Sequence, residues 1–412
     1  YISDETIASD QYSNLPPILA FPFGDVTDKC AAEVAFRAVD LAPIVMLDDF
    51  AGTGMPAMAM RGLGVPTRHV FFETDPVARK FLQNNFAAEE LRGSVVGRRL
   101  ASLPSCDIVT AGFPCQPFSV LGHGHGISEE GGRGAVVLET IKAIRHFHPL
   151  VFLLENVAAF AGAAHAETRR MVLDLLDSDG KYELHEKIVC SSASGVPQTR
   201  RRWYLLGVLR SRLQGLFHWP APVEGLPLCA VLGPRSVNDD ALRLPPTTQR
   251  NARANVQRWL AAVRRQGVDL SREELVLDCD ASRKWCGNAA SVCPCLTRSR
   301  DQGLWLLSRG ARMSSEVCCR LQGIPFKSLK GLKNDRDVRR LMGNAMTLSV
   351  VEPVLRAALI ATGCCAPSVE DRWKSGRAQA ALVSEAWGLS LPDDLMAVLP
   401  ARVLQQLFLP SP

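Results

Sequence analysis

The sequence predicts an α/β protein with a doubly wound, mostly parallel sheet covered by helices on both faces. From Ile44 onward, short apolar runs alternate with amphipathic helical stretches, which is typical of such sheets. The runs are apolar at consecutive positions, as expected of strands that are buried on both faces. The chain has 412 residues, of which 47% are hydrophobic and 22% charged, enough for a large core and a smaller second domain.

The predicted elements follow one another along the first half of the chain. The predicted strands are 44–47, 69–72, 107–110, 150–154 and 203–208. The predicted helices between them are 55–63, 76–85 and 135–147. After residue 208 the alternation stops, and the Pro- and Arg-rich stretch 209–290 contains one predicted helix, 251–266. Further helices are predicted near 314–322, at 347–361 and twice within 363–412.

The composition excludes several classes of protein. It is that of a globular chain, which excludes wholesale disorder, collagen and coiled coil. No apolar run approaches the ~18 residues of a membrane span, so we expect a soluble protein without membrane association. The sequence does not begin with Met, so targeting signals cannot be read from it.

Positive charge is concentrated in one stretch of the chain. The formal net charge is +5 at pH 7, but residues 198–320 contain 19 Arg and one Lys against ten acidic residues. A basic block beside a neutral-to-acidic remainder is the pattern of a nucleic-acid-binding face. A solvated Arg-rich surface is the alternative, because Arg outnumbers Lys 37 to 10 in the whole chain.

The 13 cysteines do not suggest a secreted disulfide framework. They are odd in number and unevenly spaced, which favours reduced thiols in an intracellular compartment. Cys279, Cys286, Cys293 and Cys295 cluster, but without paired CxxC spacing or an intervening His. Buried or idle cysteines are therefore favoured over zinc, and we expect no metal site.

Polar and glycine residues follow the first two predicted strands. Gly52 and Gly54 lie where the first strand turns into a helix, a place where a ligand can approach the backbone. A plain tight turn explains these two glycines almost equally well. Glu73 follows the second strand about twenty residues later, where an acidic residue suits a ribose diol. Together the two features favour a cofactor that contains a nucleoside.

Three further features accompany the predicted strands, and the first two lie at the predicted carboxyl edge of the sheet. Cys115 stands between two prolines, and either a nucleophile or a buried thiol fits that place. Glu155 directly follows an apolar strand, so it is either paired or functional. Residues 198–202 approach the next strand, and in extended chain Gln198, Arg200 and Arg202 share one side, so two guanidinium groups can converge.

The order of these motifs resembles that of the cytosine-5 DNA methyltransferase family over about residues 44–208 and 291–360. The family's first motif is similar to Phe50-Ala-Gly52-Thr-Gly54, its catalytic motif to Pro114-Cys115-Gln116, and the next motif to Glu155-Asn156-Val157. Its QxRxR motif is similar to Gln198-x-Arg200-x-Arg202, the helix after its target recognition domain to 312–325, and its last motif to Gly343-Asn344-Ala345.

The resemblance implies a Rossmann-like methyltransferase sheet with a smaller inserted target recognition domain. It implies S-adenosylmethionine as cofactor and methyl transfer to C5 of a cytosine flipped out of the duplex, through a covalent Cys115 adduct at C6. The implied catalytic residues are Cys115, Glu155, Arg200 and Arg202. The implied cofactor-binding residues are Phe50, Gly52, Gly54, Glu73, Thr74, Pro114 and Asn344. The implied substrate-binding residues are Gln116, Ser119, Asn156, Gln198 and Thr297.

With this resemblance we divide the chain into five segments. They are an N-terminal extension (1–43), a catalytic domain (44–208), a target recognition domain (209–290), a return to the catalytic domain (291–362) and a C-terminal helical extension (363–412). We expect double-stranded DNA as partner, with RNA open, and a monomer. We expect an intracellular location, nuclear in a eukaryote and cytoplasmic in a bacterium.

One departure and two alternatives accompany the resemblance. The family usually has an Asp after the third strand that bonds the adenine amine, and the position expected for it here is Arg98. Because a guanidinium group has no acceptor, Arg98→Asp is expected to leave cofactor affinity unchanged or improved. One alternative is a tRNA methyltransferase of the same fold, since Cys295-Leu296-Thr297 nearly matches that branch's Cys-Phe-Thr. The other is a catalytically idle, DNA-binding regulator.

Overall fold

Seven strands form one mixed sheet in the computed structural model, which describes residues 43–86, 90–114, 136–284, 286–287, 289–331, 334–388 and 390–409. Their spatial order is β3-β2-β1-β4-β5-β8-β6. The strands are β1 (Ile44–Asp49), β2 (Thr67–Phe72), β3 (Glu90–Arg92), β4 (Ile108–Gly112), β5 (Val151–Val157), β6 (Tyr182–Cys190) and β8 (Arg201–Leu209). The strand β7 (Gln198–Thr199) lies outside this sheet. The predicted extension at 1–43 lies outside the described residues, apart from residue 43.

The first five strands of the sheet are parallel, and β8 runs antiparallel between β5 and β6. Consecutive residues of a strand point to opposite faces, so Met46 and Leu47 of β1 enter two different cores. Both residues are fully buried. Burial on both faces is the reason why these strands are apolar at consecutive positions. The predicted doubly wound sheet is therefore confirmed.

Helices cover the two faces. On one face lie α1 (Met55–Gly62), α2 (Pro76–Asn85) and, from the far end of the chain, α9 (Leu348–Ala361). On the other face lie α3 (Val136–Phe147) and α4 (Ala166–Asp177). Asp75 begins α2 with its side chain accepting from the amides of Val77 and Ala78, which satisfies two of the helix's free N–H groups.

A smaller unit has its own core. The helix α6 (Arg250–Arg265) packs with β9 (Val276–Leu277) and β11 (Trp305–Leu306) around a separate apolar cluster, and β12 (Ala311–Arg312) completes a three-stranded sheet. The short helix α5 (Leu228–Leu232), by contrast, packs on the main core. The division of the chain at residues 209–290 stays a prediction.

The chain then returns to the sheet. It passes through β10 (Cys293–Pro294), which pairs in parallel with β7, and then through α7 (Ser315–Leu321) and α8 (Asp335–Asn344) to α9. The C-terminal part holds α10 (Arg377–Trp387), α11 (Asp393–Met396) and α12 (Ala401–Leu407), one helix more than predicted in the described residues there. Trp373, Leu382 and Val403 bury these helices' apolar sides in the main core.

In the described part of the chain no single helix has the length and apolar character to cross a bilayer. The pair α8 and α9, bent by 42° at the break between them, reaches that length and composition when taken together.

Candidate active site at the carboxyl edge of the sheet

The turn after β1 depends on backbone conformations that favour glycine. Gly52 and Gly54 have φ angles of 55° and 63°, and Phe50 shares this left-handed region at 56° although it has a side chain. Gly54 is the N-cap of α1 and no side chain caps that end. A Cβ at Gly54 would lie 3.0 Å from the Phe86 ring, so the turn is also closely packed. The result is a tight turn that exposes backbone N–H groups at a helix start.

Glu73, at the end of β2, is turned back onto this glycine turn. Its Oε2 accepts from the amide of Gly52 at 2.8 Å, and its Oε1 accepts from the amides of Thr74 and Asp75, both at 2.7 Å. Three backbone donors fix the half-buried carboxylate, whereas Thr74 is exposed. The structure thus brings together Gly52 and Glu73, two residues that the sequence predicts for cofactor binding.

A pocket of about 200 Å³ opens beside the ends of β2 and β3. It is lined by Phe72, Arg92, Gly93, Ser94, Arg98, Arg99, Ser102 and Leu103. Since β3 ends at Arg92, the residues directly after the third strand are Gly93 and Ser94 rather than Arg98. Ser94 is exposed, and its hydroxyl accepts from the amide of Val96 at 3.0 Å.

The guanidinium group of Arg98 forms a buried ion pair. Its Nη1 and Nη2 lie 2.5 and 2.8 Å from the two carboxylate oxygens of Asp49, and Nη2 also donates to the carbonyl of Glu139 at 2.9 Å. The Arg98 side chain is 3% exposed and that of Asp49 is fully buried. The assignment of Arg98 to the adenine-contact position is therefore wrong. The basis for expecting unchanged or improved cofactor affinity in Arg98→Asp is lost with it. The substitution should instead destabilise the fold, because it would set two carboxylates against each other in the interior.

The predicted nucleophile Cys115 and the predicted substrate residues Gln116 and Ser119 lie outside the described residues. The chain leading to them does not. Gly112, the last residue of β4, pairs in register with Glu155, and a Cβ at Gly112 would lie 3.6 Å from Glu155 Oε2. Pro114, the residue before Cys115, is exposed. The chain toward Cys115 therefore leaves the sheet beside Glu155.

Asn156 holds this exit rather than facing a substrate. It is 1% exposed, its Nδ2 donates to the carbonyl of Phe113 at 3.1 Å, and its Oδ1 accepts from the amide of Val157 at 2.8 Å. The Phe113 ring packs edge-on against Phe160 and Trp203. The prediction of Asn156 as a substrate contact does not match this geometry, because a buried amide that is already bonded has little left to offer a ligand.

Glu155 and Arg202 form the polar centre of the site. Arg202 pairs in register with Val157, and side chains two residues apart in a strand share a face, so Arg202 reaches Glu155. The Arg202 Nε lies 3.0 Å from Glu155 Oε1. Burial raises the pKa of the Glu155 carboxyl, and the positive charges of Arg200 and Arg202 oppose that rise in part. A carboxyl in this setting can hold a proton at higher pH than an ordinary glutamic acid.

Arg200 is 2% exposed and bonds mainly to backbone carbonyls. Its Nη1 donates to the carbonyls of Leu296 at 2.8 Å and Gly343 at 3.2 Å, and its Nη2 to that of Ala345 at 2.6 Å. The carbonyl of Leu296 lies between β9 and β11, and those of Gly343 and Ala345 belong to the chain that follows the smaller unit. Arg200 therefore fastens the returning chain to the sheet.

Gln198 has a similar linking position. It is fully buried, its Nε2 donates to the carbonyl of Leu321 at 2.9 Å, and its Oε1 accepts from the amide of Leu296 at 3.0 Å. The predicted contact of Gln198 with substrate therefore does not match the structure. Its amide joins three segments of the chain. We call residues 195–202, which contain Gln198 and both arginines, the arginine segment.

Thr297 and Asn344 meet at the edge of the site, and both are exposed. Between them, a Cβ at Gly343 would overlap the backbone of Thr297, so only glycine fits there. The hydroxyl of Thr297 lies 3.2 Å from that of Ser299. The structure thus brings a predicted substrate residue, Thr297, beside a predicted cofactor residue, Asn344.

Comparisons with known proteins agree with this geometry. Residues 44–227 match the family of C-5 cytosine-specific DNA methylases. Over this range the chain resembles that family. It is 28% identical over 312 residues to the Type II methyltransferase M.NgoBI of Neisseria gonorrhoeae, which covers 74% of this chain and 90% of that protein. It is 32% identical over 179 residues to the Type II methyltransferase M.NlaX of Neisseria lactamica, which covers 43% of this chain. The match spans 56% of M.NlaX, little more than half of that relative.

Solved structures share the fold. The Entamoeba histolytica methyltransferase EhMeth superimposes with a TM-score of 0.56 at 14% identity, covering 78% of this chain and 99% of its own. A putative DNA modification methyltransferase of an Escherichia coli prophage gives 0.53 at 17% identity, with the same two coverages. At such identities the likeness concerns the fold alone.

One residue of this candidate site, Cys295, is not predicted as a site residue from the sequence. Cys295 Sγ lies 3.5 Å from Arg200 Nη1 and 3.6 Å from Arg202 Nη2, so this half-buried thiol sits where the two guanidinium groups converge. The only feature of the sequence that points to Cys295 is the near match of 295–297 to the Cys-Phe-Thr element of the tRNA methyltransferases. Its place between two arginines depends on a fold contact that no local motif contains.

Proposed function

We propose that this chain transfers a methyl group from S-adenosylmethionine to C5 of cytosine in DNA. The observation that carries the proposal is the pairing of Glu155 with Arg202 beside the strand that leads to Cys115. The match of residues 44–227 to the C-5 cytosine-specific DNA methylases, and the similarity to relatives named Type II methyltransferases, support the same activity. The DNA substrate, the cofactor and the covalent route are parts of this proposal.

The residues after β1 and β2 fit S-adenosylmethionine. The glycine turn leaves backbone N–H groups at the start of α1, and the Glu73 carboxylate is fixed at its side, where it can accept from a ribose diol. Phe72 and Ser94 line the adjoining pocket. The bound cofactor supplies an electrophilic methyl group.

The base would be activated by this chain's own residues. In the proposed route the Cys115 thiolate adds to C6 of a flipped cytosine, and the electron pair of the C5–C6 bond moves toward C5. Glu155 donates a proton or hydrogen bond to N3, a role that its raised pKa favours. Arg202 faces the base O2. After C5 has gained the methyl group, a water molecule takes the C5 proton, the C5–C6 double bond re-forms and the thiolate of Cys115 leaves. Any proton that N3 received returns to Glu155.

Arg200, Gln198 and Asn156 act by holding this arrangement. Their side chains bond to buried backbone of neighbouring segments, so we assign them positioning roles. The exposed Thr297 and the basic residues of the smaller unit are the parts of the chain that we propose to contact the nucleic acid. Phosphate contacts of this kind make binding dependent on salt.

Bisulfite sequencing of DNA that was incubated with the protein and S-adenosylmethionine tests the proposal. We expect cytosines that resist conversion, and we expect Cys115→Ser to abolish them, because a hydroxyl group is far less ionised than a thiol at neutral pH. Cys106→Ser is the matched control, since burial raises the pKa of the Cys106 thiol to about 12. Substantial turnover in Cys115→Ser would contradict the nucleophile. Transfer to tRNA but not to duplex DNA in a competition assay would favour the RNA alternative instead.

A further inference from the structure

The C-terminal residues 364–409 do not lie apart from the site. Trp373 is buried in the main core, and its ring lies between two glycines that belong to the site's supports. A Cβ at Gly195 would lie 3.0 Å from Trp373 Cε3, and a Cβ at Gly323 would lie 3.0 Å from Cη2. The two glycines have φ angles of 102° and 85°, which other residues rarely adopt. The indole ring thus occupies space that only glycine leaves at these two positions.

Gln379, on α10, makes a second contact with the same turn. It is fully buried, and its Nε2 donates to the carbonyl of Gly195 at 2.7 Å and to that of Glu224 at 3.0 Å. Its Oε1 accepts from Arg402 Nη2 at 2.7 Å, and the same nitrogen donates to the Glu224 carbonyl. The Gln379 amide therefore ties α10 to the turn at Gly195 and to Glu224, and its third contact joins α10 to Arg402 on α12.

Both glycines are close in sequence to residues that support the site. Gly195 opens the arginine segment, three residues before Gln198. Gly323 follows α7, whose Leu321 carbonyl accepts from the Gln198 side chain. Trp373 is therefore wedged between the start of the arginine segment and the helix to which that segment is bonded.

Within the arginine segment, Arg201 and Arg202 belong to β8 and pair with neighbouring strands of the main sheet, but residues 195–200 have few backbone contacts of their own. The strand β7 pairs over two residues only, with β10. The amides of Gln198 and Arg200 bond to carbonyls just two residues earlier, at 2.8 and 3.0 Å. Contacts this local fix a turn but not its place relative to the sheet.

We propose that the C-terminal segment is a positioning element of the active site, in which Trp373 and Gln379 hold the first turn of the arginine segment. In this way they set the place of Gln198 and Arg200, which bond to the returning chain, whereas Arg202 is placed opposite Glu155 by its own pairing in β8. The inference concerns residues outside the family match at 44–227. It rests on the proposed function for its catalytic consequence, but its structural part can be measured without turnover.

The test compares two variants of the full chain that each lose side-chain hydrogen bonding from α10 to the main body. Gln379→Met removes the bonds to Gly195 and Glu224 and the bond from Arg402. The control Trp387→Phe removes the bond from Trp387 Nε1 to the Cys229 carbonyl at 3.2 Å, away from the arginine segment. Amide hydrogen exchange in residues 191–200 is the activity-independent readout. We expect exchange there to be about tenfold faster in Gln379→Met and unchanged in Trp387→Phe.

Kinetics supply the second readout. We expect kcat of Gln379→Met to fall about tenfold while KM for S-adenosylmethionine changes by less than about twofold, since the cofactor side of the sheet is untouched. If Gln379→Met does not fold, Trp373→Phe, which shortens the ring between the glycines, takes its place.

Equal exchange of residues 191–200 in the variant and the control would overturn the proposal. So would faster exchange in an active enzyme whose kcat is unchanged. A wild-type chain that methylates no cytosine contradicts the proposed function instead, and a difference in exchange between the two variants would then still support the positioning of the arginine segment.

Discussion

Two buried arginines flank the carboxyl edge of the sheet, and their charges are balanced in different ways. Arg98 faces a carboxylate, that of Asp49, with two nitrogens at 2.5 and 2.8 Å. Arg200 donates to three backbone carbonyls, and in the described part of the chain it forms no ion pair. Arg98 thus forms an ion pair within one half of the sheet. Arg200 binds the returning chain through the dipoles of backbone carbonyl groups.

The difference shows where each charge acts. The positive charge of Arg98 is cancelled at short range, so its effect should appear in folding. The charge of Arg200 is not cancelled by a carboxylate of its own, and it acts on Glu155, where it opposes the rise in pKa that burial causes. Changes on the Arg200 side should therefore alter chemistry and pH dependence, and changes on the Arg98 side should alter stability.

The largest effect is expected on the Arg200 side, for Glu155→Gln. Loss of the proton that Glu155 can give to the base should lower turnover by about 10²–10⁴-fold, the usual range for a general acid or base. Single-turnover methyl transfer measures it. Glu273→Gln, at an exposed carboxylate, is the control. A loss below tenfold would remove Glu155 from the chemistry.

Although Glu155→Gln should lower turnover, its stability relative to wild type should increase as the pH rises. Because the pKa of Glu155 is raised by burial, the native state binds more protons than the unfolded chain between the ordinary value of 4.5 and the folded value. Native stability therefore falls as pH rises through that window. Gln cannot ionise, so the free energy of unfolding of Glu155→Gln relative to wild type should rise from pH 4.5 to pH 8, as measured by urea denaturation. A flat difference would show that Glu155 is not held in its protonated form by burial.

On the Arg98 side, Arg98→Asp should lower the free energy of unfolding by about 3–5 kcal/mol, the cost of breaking a buried ion pair. The substitution removes the partner of Asp49 and buries a second carboxylate next to it. Urea denaturation measures the loss, and Arg99→Asp, the same change at an exposed neighbour, should cost less than about 1 kcal/mol. Equal stabilities of the two variants would mean that the ion pair contributes little.

The same two regions show how far the sequence could lead. The sequence predicts five of the seven strands of the sheet, and the strand ends at which Glu73 and Glu155 lie, because apolar runs and the residue after each run are local features. It does not predict the strands β3 and β6. The positioning roles of Gln198 and Asn156 could not be predicted from local patterns. Gln198, for example, bonds to residues 98 and 123 positions away. Arg98 was misplaced for a related reason: the short strand β3 ends at Arg92, and Asp49 lies 49 residues earlier. Motifs locate a site, whereas burial decides which side chains face its ligand.

A smaller effect is expected for Glu73→Ala, on the Arg98 side of the sheet. This variant should lose affinity for the cofactor. One charge-assisted hydrogen bond contributes about 1.5–3 kcal/mol, so S-adenosylmethionine binding should weaken by at least that amount. Glu73→Gln should lose less, because an amide oxygen can still accept from Gly52. Calorimetric titration measures both, and DNA affinity should not change. Unaltered cofactor affinity in Glu73→Ala would leave Glu73 only the role of holding the glycine turn.

The smallest effect concerns Ser94, two residues after β3 ends. The family's usual acid bonds the adenine amine from a position after this strand, and Ser94 lines the pocket there. Ser94→Asp should strengthen S-adenosylmethionine binding by about 1–2 kcal/mol, since it adds a charged acceptor. The fold should tolerate it, because a carboxylate can replace the hydroxyl that accepts from the amide of Val96.

Two comparisons make the Ser94 prediction specific. Ser102→Asp adds the same charge elsewhere in the pocket lining and should not strengthen binding. Ser94→Asp should also bind S-adenosylhomocysteine, which carries the same adenine, more tightly than wild type does. This gain in affinity should disappear with the inosine analogue of S-adenosylhomocysteine, in which a carbonyl stands in place of the adenine amine. An equal gain with both ligands would show that the new carboxylate acts through general charge. No gain with either would place the adenine outside this pocket, and Arg98 and Asp49 would then support a wall that the cofactor does not touch.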